Sequence, residues 1–420
     1  MRRWQQLACV AIVVVLCLAR FVRLGDTPAG FYLDEAAGAA TMLCIDRPRL
    51  FFEELPGTGT FFTPAYVYSG ALWTKVFGSS IGAIRAHVAF FSILTILAVF
   101  LVARHFLGID GALVAALAAA VSPWGFPFAR IAWDPPLAPC FLMWGVYAFL
   151  RRQPLVAGVL FAAAMYTYPP ARLHVPLIVL VLIAIERDWR RAVIVLITIA
   201  VVCVPLVWLT VDGTLNTRAN SLAVWSTDAP LSYFFRGVAK HFSLDFLVMH
   251  GDRNPRHGTQ MFGILSWLDL LAVAGLMALA RANRKLLALA ASGFVSALLV
   301  ASLSWEGVPH ALRSITGWPF VALLTGALLA PLIARWRIAP YIVLVTAIAF
   351  AAVFLNVYFT TYRTASAPHF DAVLREEAER AKQSGEWARL RAYGDFYPRE
   401  ALRYYFLHYA GASCDATAKK

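Results

Sequence analysis

Apolar runs recur along this chain at 5–22, 84–105, 109–126, 136–150, 154–168, 174–186, 190–210, 263–280, 286–303, 314–333 and 339–360. A helix of roughly 20 apolar residues crosses the hydrocarbon of a bilayer. Such a helix also satisfies every backbone N–H and C=O internally, which lipid does not do. The shorter runs are accommodated by tilt or by extension into their flanks. Charged residues make up 15% of the chain and hydrophobic ones 60%, whereas soluble domains carry about a quarter charged residues. Together these features predict an all-α integral membrane protein of about eleven transmembrane helices.

The connectors between runs alternate in character. One set is short and basic: Arg2-Arg3, Arg104, Arg151-Arg152, Arg187 to Arg191, Arg281 to Lys285 and Arg335 to Arg337. By the positive-inside bias these mark the cytoplasmic face. The net charge of +13 therefore reads as topology rather than as nucleic-acid binding. The other set, 23–83, 127–135, 169–173, 211–262 and 304–313, carries aromatics, prolines, histidines and carboxylates and falls on the outer face. Eleven spans with an inner N-terminus divide the chain into a membrane domain, 1–360, and a short helical outer tail, 361–420. The apolar stretch after Met-Arg-Arg-Trp lacks a small-residue cleavage site and reads as a retained first helix.

Several function classes drop out. The inner loops contain no GxGxxG, no GxxxxGK[ST] and no Asp-x-Asp, so a nucleotide or nucleotide-sugar site has no place there. The six cysteines (Cys9, Cys17, Cys44, Cys140, Cys203 and Cys414) are scattered without a CxxC spacing. They support neither a disulfide framework nor a zinc site.

Chemistry-bearing residues gather on the outer side. "AGFYLDEAAG" holds Asp34 and Glu35 at the start of a short helix expected over Glu35 to Cys44. Asp34 there is either an N-cap, with Glu35 a first-turn residue, or a reactive carboxylate. Asp134 in "ARIAWDPP" is either a turn residue before proline or a second carboxylate. Arg172 and His174, Arg218, then His250, Asp252, Arg253, Arg256 and His257, then Glu306, His310 and Arg313 lie on later outer loops. Arginine is disfavoured on that face, and an anionic ligand such as a phosphate accounts for the clustering. A carboxylate base with a cationic cradle suits group transfer from a lipid phosphate. The phosphate leaves as a stable anion, without the proton donor that glycosidases need.

The stretches "GFYLDEAA", "TPAYVYSGALWTKVFGSSIGAIRAHVAFFSILTILAVFLVARHFLG", "ARIAWDPP", "YTYPPARL", "GDRNPRHG" and "PHALR" resemble the polytopic C-type (GT-C) glycosyltransferases. The nearest branch is that of the protein O-mannosyltransferases and lipid A aminoarabinose transferases, with likeness over roughly 25–320. The resemblance implies a GT-C fold with juxtamembrane helices on the outer face. It also implies an inverting enzyme that moves a sugar from a polyprenyl-phosphate donor to a lipid, glycan or protein acceptor.

Carried over residue by residue, the family's first-loop acid falls on Asp34, with Glu35 beside it, and the second-loop acid on Asp134. The donor-phosphate groups fall on Arg172, Arg218, Arg256 and Arg313, with His257 and His310. The setting implied is a bacterial inner membrane with the site facing the periplasm.

Two departures leave questions open. Thr63 stands before Pro64, where many relatives carry a histidine or charged residue and some build a metal site, so a divalent cation is not firmly implied. The short tail leaves the acceptor and the sugar unassigned. The rival reading is a transporter or flippase of a lipid-linked sugar. Such proteins tend to show repeated halves and midplane ionisable groups; this chain shows no clear repeat, and only Asp269 lies deep in a run. A scaffold without activity leaves the outer carboxylates and cations unexplained.

Overall fold

The computed structural model describes residues 1–53, 59–215, 217–273, 275–276, 282–393 and 399–414. Helices dominate, and among the described residues the only sheet is a two-stranded antiparallel pair, Phe52–Glu53 with Phe61–Phe62. The helices fall on every predicted span except the second half of 263–280, most of which lies outside the described residues. Among the described residues, four helices are long and apolar enough to cross a membrane, or five if the bent pair Trp189–Val202 and Val204–Val211 is one span. Arg3–Ala19, Pro135–Leu150 and Pro154–Thr167 are apolar but shorter. The expected count of about eleven crossings is thus not reached by length and composition alone.

The longest helix, Ile81–Val121, is two helical segments joined at Gly108, whose φ of 67° and ψ of −168° break the helix. That conformation is open essentially to glycine. Beyond the break, Gly111 to Val121 is small-residue-rich and buried, and it packs on the helix Trp318–Arg335. A Cβ on Gly326 would lie 2.7 Å from Ala115 Cβ and 3.0 Å from the Gly111 carbonyl. Small residues let two helix backbones approach in this way inside a membrane.

Three buried arginines hold the first helix and the loop after it to this body. Arg20 donates to the carbonyls of Leu16 and Ala120 and to Ser92 Oγ. Arg130 donates to four carbonyls, those of Ala19, Arg20, Val22 and Thr27, at 2.7–2.9 Å. Arg85, near the start of the long helix, donates to the carbonyls of Leu24, Pro28 and Gly30 and to both oxygens of Glu35. Irregular backbone away from water needs such partners. A guanidinium supplies five donors in one rigid fork.

The tail does not stand apart. Leu374, Ala378, Leu390, Leu402, Tyr404 and Tyr405 share one apolar cluster with Phe31, Ala36, Ala37 and Ala40 of the first loop. Gly30 meets the tail so closely that a Cβ would lie 2.7 Å from Ala372 N. Asp371 Oδ2 accepts from Leu33 N at 3.1 Å. Cys44 and Cys414 form a disulfide across a sequence separation of 370. The expectation that the cysteines carry no disulfide is corrected for this pair. The other four, Cys9, Cys17, Cys140 and Cys203, are free. Sequence spacing reveals a bridge only when the pairing is local or repeated, and this one joins two distant segments that tertiary packing brings together.

Candidate functional site

The first-loop helix runs Leu33–Leu43, two residues earlier at its start than expected, with Tyr32 as its N-cap. Asp34 is therefore not the cap. Glu35 takes that task, accepting from Tyr32 N at 3.1 Å. Glu35 also pairs with Arg85 through two 2.8 Å bonds and accepts from Ala132 N at 2.8 Å. Both side chains of that pair are fully buried. With its oxygens occupied, Glu35 sits behind the site rather than in it. Its bonds hold Asp34's helix against the segment that carries Asp134.

Asp34 and Asp134 line one cavity of about 530 Å³, together with Arg172, Arg218, Arg256, His257, His310 and Arg313. Every sequence-predicted site residue except Glu35 is in that wall. A second cavity of about 660 Å³ adjoins it and shares Arg218, Arg256, His257, His310 and Arg313. It adds Lys240, Asp252 and Arg253.

Local structure explains the convergence. The turn before Pro135 places Asp134 at the start of a short 3-10 turn leading into the helix Ala138–Leu150. Arg172 occupies the first turn of the helix Ala171–Glu186. Arg218 lies on the helix Thr217–Leu222. Its segment is stitched to the last outer loop by Val224 N to Leu303 O at 2.8 Å and Trp305 N to Leu222 O at 3.0 Å. Arg313 on that last loop is held by Ser304 Oγ at 2.6 Å and by the Glu306 carbonyl. The Arg256 guanidinium lies 4.0 Å from the centre of the Tyr32 ring, joining a late loop to the first one.

Burial governs the electrostatics. It pushes the Asp134 carboxyl up to about 7, with Thr63 partly offsetting the rise and the Asp34 charge adding to it. Burial lowers Arg172 to about 10 and lowers Arg313 as well. The His310 imidazole is held well below its ordinary range by burial and then by the neighbouring His257 and Arg313. Burial raises the Tyr32 phenol to about 12. The cavity therefore combines a carboxyl of raised pKa with a cationic rim, suited to proton transfer beside a bound anion.

Sequence reasoning named Asp252 but gave it no place in the site. Its carboxylate lies 2.6 Å from His257 Nδ1 and accepts from Ala311 N at 2.8 Å. It missed Arg85 and Arg130, whose signal was an arginine at the edge of an apolar run, where charge is costly and usually has a partner. His174 is buried between Thr316 Oγ1 and the Gly293 carbonyl, away from the cavity. Asp269 is satisfied by Ser266 and Thr325.

With the geometry described, the comparisons show which known fold the chain shares. Residues 62–235 match the family model described as dolichyl-phosphate-mannose-protein mannosyltransferase. The structure of ArnT from Cupriavidus metallidurans bound to undecaprenyl phosphate superposes with a TM-score of 0.58 at 15% identity. That match covers 97% of this chain and 76% of that one. The apo structure of the same protein gives 0.52 at 14% identity, with the same coverage. No curated protein matches the chain. The resemblance read from the sequence holds at the level of fold: the chain shares its fold with ArnT.

Proposed function

We propose that the protein is an inverting glycosyltransferase that takes its sugar from a polyprenyl-phosphate donor on the outer face of the membrane. The observation that carries the reading is the convergence of Asp34 and Asp134 with four arginines from three separate loops on one cavity. The family model and the ArnT complex with undecaprenyl phosphate support a lipid-phosphate donor. In this reading Arg172, Arg218, Arg256 and Arg313 neutralise the phosphate, which leaves as a resonance-stabilised anion. His257 and His310 complete the phosphate side of the wall. Asp34 removes the proton of the acceptor hydroxyl as the new bond forms at the opposite face of the anomeric carbon, giving inversion. Asp134, whose carboxyl burial raises, flanks the acceptor.

The outer location draws support from the Cys44–Cys414 disulfide, because such bonds persist in oxidising compartments and are rare in the cytosol. We assign the site to the periplasmic face of a bacterial inner membrane on that basis, with a membrane domain over 1–360 and the tail 361–420 on the outer side.

Reconstitution tests the reading. Proteoliposomes supplied with a polyprenyl-phosphate sugar should transfer it to a hydroxyl acceptor, and Arg218→Ala and Arg256→Ala should weaken donor use without loss of folded protein. Transfer from a nucleotide sugar with no lipid donor present would overturn the proposal.

A further inference from the structure

We propose that Asp252, His257 and His310 form a divalent-cation site in the wall between the two cavities. The three come from two outer segments, Asp252 and His257 from one turn and His310 from the last loop. Each offers a ligand atom within 4.8 Å of the others. Their side chains are 5%, 5% and 15% exposed, so they are withdrawn from bulk water.

The distances suit coordination. Asp252 Oδ2 lies 2.6 Å from His257 Nδ1 and 3.8 Å from His310 Nδ1. Two ligands at zinc-like bond lengths and a tetrahedral angle stand about 3.4 Å apart. The observed pair of separations brackets that value, and His310 Nδ1 also accepts from Arg313 N at 3.3 Å, a contact that ligation through that atom would replace. In the absence of metal the same atoms form a satisfied Asp252–His257 hydrogen bond, which is the competing role. A cation bound there takes the place of the shared hydrogen, and the neutral imidazole carries its proton on Nε2 instead.

The surroundings orient all three groups. Asp252 Oδ1 accepts from Asn254 N at 2.8 Å, while Oδ2 accepts from Ala311 N. The His257 ring is framed by Phe128 and Trp133, and the two imidazole rings stand 4.6 Å apart. His310 N donates to His241 Nε2 at 3.0 Å, which anchors the loop from behind. Such supporting contacts are what fix ligands in working metal sites.

Two nitrogens and one oxygen suit Zn²⁺ or a similar transition-metal ion, and three protein ligands leave a position open. The same wall carries Arg256 and Arg313. An anionic oxygen at the open position offsets the charge of metal and arginines together. The set needs no first-loop residue: Thr63 precedes Pro64 and does not contribute to it. The role of the ion, polarising a donor phosphate, rests on the proposed function, but its binding does not.

The test uses Co²⁺ as a spectroscopic probe on the full chain in detergent after treatment with a chelator. One equivalent of Co²⁺ should give visible d–d absorption, and Zn²⁺ should displace it. His257→Ala and His310→Ala should each weaken binding by at least about tenfold. Absence of a stoichiometric Co²⁺ or Zn²⁺ site in the wild-type protein overturns the proposal, whatever the variants do. So does undiminished binding in the folded double variant. Since no sugar donor is present, a protein that transfers sugar yet binds no metal sinks this inference alone. A protein that binds Co²⁺ through these residues but never uses a lipid donor sinks only the transferase reading.

Discussion

Glu35 and Arg85 form a two-point ion pair in which neither side chain has exposed surface. The same carboxylate also receives Tyr32 N and Ala132 N. One side chain therefore ties the start of Asp34's helix to a residue two positions before Asp134. The two carboxylates of the cavity owe their relative placement to a neighbour that does not line it.

Removing one partner of a buried ion pair typically costs about 3–5 kcal/mol, because the other charge is left uncompensated. Glu35→Gln leaves Arg85 in that state and should lower the thermal midpoint of the detergent-solubilised protein by many degrees. Asp34→Asn should leave the midpoint close to wild type. A Glu35→Gln protein as stable as wild type but inactive would return Glu35 to the chemistry.

Asp34→Asn separates chemistry from capping. Tyr32 is the helix N-cap, so the substitution removes no cap bond from that position. A placed carboxylate contributes about 10²–10⁴-fold as a general base. The variant should lose transfer activity on that scale while still binding the lipid donor, measured with labelled polyprenyl phosphate. Full activity would leave Asp34 as a structural residue and move the base to Asp134.

The residues that sequence placed well share a physical signature. Arg172, Arg218, Arg256 and Arg313 lie on connectors read from the charge pattern as outer, where arginine is disfavoured, and Asp34 and Asp134 lie in polar connectors between apolar runs. Both are local contrasts that survive in one dimension. What stayed hidden depends on tertiary packing. Glu35 and Arg85 meet across fifty positions, and Cys44 meets Cys414 only because the tail docks on the first-loop helix. The Asp252–His310 contact also joins two separate loops. The span pattern was legible because hydropathy reports burial in lipid directly. The break at Gly108 fell in the predicted gap between 105 and 109, whereas the bend between Val202 and Val204 left no mark in the apolar pattern.

Asp134 makes the protein's behaviour pH-dependent. Its carboxyl is raised from 3.8 to about 7 in the folded protein, so folding favours the protonated form. Between those values the folded state binds the proton and the unfolded state does not. The stabilisation is therefore fully present below pH 3.8 and is lost as the pH rises through about 7. Asp134→Asn should thus flatten the dependence of the thermal midpoint on pH between 5 and about 8. It should gain on wild type at the alkaline end of that range. If the midpoints of both proteins run parallel over it, the raised carboxyl is not present in the folded state.

The last prediction concerns orientation and the bridge together. An impermeant maleimide reaches only thiols outside the cytoplasmic membrane. Cys9, Cys140 and Cys203 are buried and Cys17 is partly buried. Wild-type protein in intact cells should therefore label weakly until a reductant opens Cys44–Cys414. Two thiols should then become reactive on the outer side, and Cys44→Ser/Cys414→Ser should abolish the gain. Ser221 is exposed beside Arg218. A Ser221→Cys variant in that serine background should label without reductant. Labelling at both places only after lysis would put the first loop, the tail and the cavity on the cytoplasmic side. The arginine cluster would then lie where positive charge is ordinary, and the argument for an outer lipid-phosphate site would fail with it.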